Sequence, residues 1–180
     1  MRPVKQGQLD AMCGIYAIIN ALEPAGLKGP RSKIHQELFR RLVSGLPNSR
    51  LRAAMREGLE PADLLAAGKG AFRWLAAMHG HSFEIARPWV RRHFDSPRAF
   101  LSAIDDATSG PVGVIVCFSQ PGLSHWSVAR RRQGGQLLLR DSGGLRSLEL
   151  GRYDLDRGRY RFTPRDTLFV TKAPRARPDA

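Results

Sequence analysis

The chain has 180 residues, 42% of them hydrophobic, with 29 basic side chains against 16 acidic ones. That length and composition exclude wholesale disorder and suffice for one domain with a sizeable core. The net charge of +13 points to polyanions only weakly. Lys5, Lys28, Lys33, Lys69 and Lys172 are the lysines; the other cations are Arg, and apart from Arg130-Arg131-Arg132 they are scattered. A solvated basic surface is therefore preferred to a nucleic-acid face. No run reaches the ~18 apolar residues of a membrane span. The polar opening residues predict no signal peptide, and two cysteines make no disulfide framework. A cytoplasmic location, or export by a route without a cleavable signal, is expected.

In chain order, residues 1–12 are a polar lead-in. Ile15, Ile18, Ile19 and Leu22 recur at helical spacing and predict a helix from Cys13 to about Ala25, punctuated by Pro24 and Gly26. Ser32 is a plausible N-cap for an amphipathic helix ending at Gly45. A short helix over 49–57 closes at Gly58. Pro61 suits another first turn, and 71–78 reads as helix, with Gly68 and Gly70 weakening the join. Residues 82–90 read as an edge strand because of Pro88, and Ser96-Pro97 opens a helix to about Ala107. Runs rich in Val, Leu and Phe follow at 112–118, 125–132, 136–141, 145–150 and 167–172, with a hairpin signal at Gly134-Gly135. The expected class is α+β: one domain over 1–172, helices first, packed on an antiparallel sheet, with a disordered tail at 173–180.

Four residues carry candidate chemistry. Cys13 opens the first apolar helix, whose positive end favours a thiolate; by itself it reads equally as a small core residue. His125 starts a strand after the loop 120–123, where a base could face a thiol with Trp126 shielding it; the alternative is a structural histidine. Asp141 ends the next strand, sixteen residues on. Antiparallel pairing brings it near His125, where it could fix the imidazole tautomer; the alternative is a turn Asp before Ser-Gly-Gly. Gln8, five residues before Cys13, could hold an oxyanion with the Cys13 N–H, and Gln6 is its competitor. Elsewhere, Cys117 reads as buried sheet core, Asp105-Asp106 as surface, and His35 and His93 as exposed. His79-Gly80-His81 reads as a loop after a helix, without partners at metal-ligand spacing. No phosphate-binding loop is present.

The order Gln, Cys-Gly, His-Trp, Asp resembles that of papain-like cysteine peptidases. The segment GQLDAMCGIYAIINAL is similar to the opening of the C39-like peptidases, as is the His-to-acid gap. The Gln five residues before Cys and the pattern His125-Trp126-Ser127-Val128 also resemble the Josephin deubiquitinases. Those carry Asn at the final triad place, so Asp141 leans toward the C39-like side. The likeness is dense only in 6–22 and 123–143, and the Cys-to-His separation exceeds a minimal C39-like domain by the helices of 30–107. The resemblance implies a papain-like fold and a thiol hydrolase without metal or cofactor. In it Cys13 is the nucleophile, His125 the base, Asp141 its orienting partner and Gln8 the oxyanion donor. The substrate would be a peptide, a protein or a ubiquitin-like C-terminal tail. The same thioester also serves a transglutaminase or glutamine deamidase acting as a toxin or effector. A non-catalytic basic module holding nucleic acid is the third reading, and it predicts salt-dependent binding with an inert Cys13.

Overall fold

The computed structural model describes residues 3–5, 11–27 and 32–173. Among them five helices and eight strands form an α+β architecture: α1 (Cys13–Ala21), α2 (Ser32–Ser44), α3 (Asn48–Glu57), α4 (Pro61–His79), β1 (Phe83–Ala86), α5 (Pro97–Thr108), β2 (Val112–Gln120), β3 (Leu123–Gln133), β4 (Gln136–Arg140), β5 (Ser147–Glu149), β6 (Asp154–Leu155), β7 (Arg161–Phe162) and β8 (Leu168–Lys172). The main sheet runs β1-β8-β2-β3-β4-β5, with every pair antiparallel. β7 extends β2 beyond the end of β8, and β6 pairs with β7 in parallel.

The sheet is covered on both sides, which the expected order of helices first and sheet second did not contain. Helices α1 to α4 fill one face with Ile15, Ile18, Leu38, Leu42, Leu64 and Leu75, against Ile115, Trp126 and Val128. The amphipathic α5 crosses to the other face, where Phe100 and Ile104 meet Val114, Val116, Phe118 and Phe162. Alternating side chains point to opposite faces of a strand. A strand buried on both faces therefore reads as a continuous apolar run, and Gly113–Phe118 is one. Trp89 and Phe94, from the connection after β1, pack edge-on against Phe100.

Helix α1 lies at the centre of the first layer, and all of its residues but Tyr16 are buried. Two glycines let it fit. A β-carbon on Gly113 would sit 2.2 Å from the Ala21 carbonyl oxygen, so β2 passes directly under the end of α1. A β-carbon on Gly14 would sit 2.7 Å from Leu64. The glycine of the Cys-Gly pair lets the Leu64 side chain of α4 pack closely on α1.

Several boundaries differ from the sequence expectation. Helix α1 stops at Ala21 and a turn occupies 22–26. The two short helical stretches around Gly68 and Gly70 are one helix of 19 residues. Gly68 backs onto Ile85, leaving room for no side chain without displacement, so tertiary contact outweighs the propensity cost. At its start Glu60 and Asp63 form a reciprocal capping box, with Pro61 in the first turn. Strand β1 ends before Pro88. Helix α5 opens at Ser96-Pro97 as expected, and Ser96 caps it by accepting the Ala99 amide at 3.2 Å. The run 145–150 yields only the short β5 and then a 3-10 turn, Leu150–Arg152. Ala173, assigned to the tail, still donates its amide to Ser82 O at 3.0 Å; the rest of that tail lies outside the described residues. No described helix is long and apolar enough to cross a membrane.

Candidate active site

Strands β2 and β3 form a hairpin turned at Pro121-Gly122, with Gln120 opposite Leu123 and Phe118 opposite His125. His125 is therefore the third residue of its strand rather than the first. On the other side β3 pairs with β4, Val128 opposite Arg140. Continuing that register sets Asp141 beside Ser127. His125 shares a face with Ser127, so His125 and Asp141 are diagonal neighbours where β4 ends.

The contact is direct. His125 Nε2 and Asp141 Oδ1 are 2.6 Å apart. Both residues are buried, with 8% and 3% of their surface exposed. The other carboxylate oxygen, Oδ2, accepts the Leu145 amide at 3.0 Å and so closes the turn 141–145. The two sequence readings of Asp141, as imidazole partner and as turn residue, are both true, one on each oxygen. Gly143 backs the pair: a β-carbon there would lie 3.2 Å from Asp141 Oδ2 and 3.9 Å from the His125 ring. Gly143 and the Leu145 amide were not singled out from sequence; the signal available was the Asp-Ser-Gly-Gly turn itself.

Cys13 is the first residue of α1, is buried and lines the same cleft as His125, and it is among the groups that act on the imidazole. With Nε2 committed to Asp141, Nδ1 is the ring nitrogen left for a thiol. Met12 makes no side-chain cap, so the first turn of α1 meets the site without a capping side chain. The electrostatics follow from these partners. Burial disfavours a charged imidazole, but hydrogen bonds to Asp141 and Cys13 outweigh it and hold the His125 pKa up at about 9. Burial likewise opposes the Asp141 carboxylate, and the hydrogen bond and charge of His125 carry it below the ordinary value.

Cys13 and His125 open into a cleft of about 520 Å³. One wall is the connection from α3 to α4, Glu57 to Pro61; the other holds Arg161, Thr163 and Asp166, and Gly122, Leu123 and Ser124 stand at the mouth. Trp126 was expected to shield the imidazole. It is buried, and its indole N–H donates to the Leu59 carbonyl at 3.1 Å, fastening the first wall to β3. Cys117, expected as buried core, is half-buried and also lines this cleft. Burial, followed by the charge of Asp166, pushes its thiol up to about 12.

Gln8 and its competitor Gln6 lie outside the described residues. Among the other histidines, His93 is exposed as expected, and His35 is half-buried against expectation. His79 is not in a loop: it ends α4, edge-on to Trp74 and 3.3 Å from Glu37. Asp105 is not bare surface but pairs with Arg132 and ties α5 to β3. A second cavity of about 630 Å³, between 90–97 and 154–165, shares no lining residue with the cleft. No protein family, no curated protein and no solved structure matches this chain.

Proposed function

We propose that the protein is a papain-like thiol hydrolase that cleaves a peptide or isopeptide bond through a thioester on Cys13. The observation that carries this reading is the buried pair of His125 and Asp141, 2.6 Å apart, with the imidazole and the Cys13 thiol lining one cleft. A thiol becomes a nucleophile as thiolate, and an imidazolium held by a carboxylate is the partner that stabilises one.

The chemistry follows from the residues. The Cys13 sulfur attacks the carbonyl carbon, and the carbonyl π pair moves onto oxygen. The Cys13 N–H, in the first turn of α1, is proposed as one donor to that oxyanion, with Gln8 as the second. As the oxyanion collapses, the bond to nitrogen breaks, and His125 gives its proton to the departing amine. His125, now neutral, takes a proton from water; the resulting hydroxide adds to the thioester carbonyl, and as that oxyanion collapses the C–S bond breaks, releasing the carboxylic acid and restoring the Cys13 thiolate beside the imidazolium. Asp141 holds the ring orientation through both halves and stabilises each imidazolium.

The test is a panel of activity probes on the intact chain, comprising an epoxysuccinyl thiol trap and ubiquitin-like tails ending in an electrophile. Labelling at Cys13, lost in Cys13→Ala and in His125→Ala, is the expected result. Labelling of Cys117 alone, or of neither cysteine, refutes the proposal.

A further inference from the structure

We infer that the cleft selects a substrate with a cationic side chain, Lys or Arg, beside the bond under attack, and that Glu57 and Glu60 are the residues that select it. This rests on the thiol hydrolase reading and gives its substrate a class.

The protein as a whole carries a net charge of +13. The cleft is the exception: its walls bear Glu57, Glu60 and Asp166 against one cation, Arg161. The three carboxylates are not equivalent. Asp166 is committed to Arg87 at 2.9 Å. Glu57 and Glu60 are exposed, and no ion pair of either occurs among the described residues. The nearby guanidinium of Arg50 is bonded to Asp63, and its charge also acts on Glu60 and Glu57 from further away.

The wall that carries them is built to stay in place. Gly58 takes a φ of 83° to end α3. The Leu59 carbonyl is held by Trp126. Glu60 accepts the Asp63 amide at the start of α4, a bond that uses an oxygen but leaves the negative charge. The field of this wall reaches the floor of the cleft, where Glu60 is among the charges that push the Cys117 thiol up. At the mouth Leu123, 38% exposed, is one of few large apolar side chains left on the surface. It offers contact to the methylene stem of Lys or Arg while the charged end reaches the carboxylates. Arg161, which also lines the cleft, repels the same cation.

Exposed charge pairs contribute modestly, about two- to five-fold each, so two carboxylates give a preference on the order of ten-fold. The experiment labels Cys13 of the full chain with three acyloxymethyl ketone peptides that differ only in the residue next to the warhead: Lys, Leu or Glu. Iodoacetamide is run alongside, and peptide mass mapping gives the rate at each cysteine. The expected order is Lys, then Leu, then Glu, with the Lys-to-Leu ratio near ten and shrinking in high salt. In Glu57→Gln/Glu60→Gln the ratio falls toward one; Gln at 60 retains a cap acceptor, and a melting curve verifies folding. Glu57→Lys reverses the order of the Lys and Glu probes. Equal rates for the three probes, with Cys13 still alkylated faster than Cys117 by iodoacetamide, overturn the inference and leave the hydrolase reading standing. Equal iodoacetamide rates at the two cysteines defeat that reading and the inference with it.

Discussion

Asp141 divides its carboxylate between His125 and the Leu145 amide, and this sets what its substitutions do. Asp141→Asn keeps an oxygen for the imidazole N–H and is expected to retain most turnover. Asp141→Ala is expected to lose roughly 10- to 10³-fold in kcat. It also frees the Leu145 amide and removes the stability of the His125 pair, so its melting temperature falls as well. Wild-type kcat in the Ala variant would show that only the turn role matters. The pair also links stability to pH. His125 is raised from 6.5 to about 9, so its contribution is complete below pH 6.5 and is lost as pH rises through about 9. Asp141 is lowered from 3.8, so its contribution is present above that value and is lost as pH falls through the lower folded one. His125→Gln should therefore be most destabilised relative to wild type near pH 6 and approach it above about pH 9. Urea midpoints across that range test this, and a gap that widens with pH contradicts it. The meeting of His125 with Asp141 could be read from the sequence, because the Gly134-Gly135 hairpin joins their strands and the Asp-Ser-Gly-Gly turn ends the second. The position of Cys117 could not, since an apolar run in a strand buried on both faces gives no sign of which residue meets a cleft.

At the scale of elements, the close crossing of α1 over β2 depends on Gly113. Gly113→Ala drives a methyl group into the Ala21 carbonyl and is expected to cost about 1–3 kcal/mol or more. Gly70, inside α4 with nothing within 4 Å of a β-carbon, gives the control. Gly70→Ala is expected to stabilise by about 0.5–1 kcal/mol. Denaturant midpoints of the two variants should shift in opposite directions; a neutral Gly113→Ala would mean that α1 does not press on the strand. In the sequence Gly70 reads as a weak point in a helical join and Gly113 as one residue of an apolar run, and neither reading shows what a β-carbon would meet. What separates them is packing between elements far apart in the chain, and the same cause makes α4 one helix where propensity suggested two. Side-chain periodicity showed that α5 has an apolar stripe, but periodicity carries no information about which face of a sheet that stripe covers.

For the whole molecule, β2 is shared by both layers of core, with Ile115 on one face and Val114, Val116 and Phe118 on the other. Neither layer can lose its packing without disturbing the strand that supports the other. Phe100→Ala, in the layer opposite the cleft, is expected to cost about 3–5 kcal/mol. At this chain length that lowers Tm by about 2–4 °C for each kcal/mol. The transition should remain single when followed both by far-ultraviolet dichroism and by tryptophan fluorescence, because Trp89 and Trp126 report from opposite layers. Two separated transitions would show that the layers unfold independently. Some of the basic side chains are engaged in ion pairs, among them Arg87 with Asp166, Arg140 with Glu23 and Arg157 with Asp154.

The pairing of Cys13 with His125 is tested most directly by alkylation with iodoacetamide near pH 6.5, with the rate at each cysteine read by peptide mass mapping in wild type and in His125→Gln. Cys117, half-buried with its thiol pushed up to about 12, is the internal reference. Wild type should modify Cys13 at least about ten times faster than Cys117. His125→Gln should slow Cys13 by a similar factor and leave Cys117 unchanged. A Cys13 no faster than Cys117 in wild type, or indifferent to the loss of His125, would contradict the account.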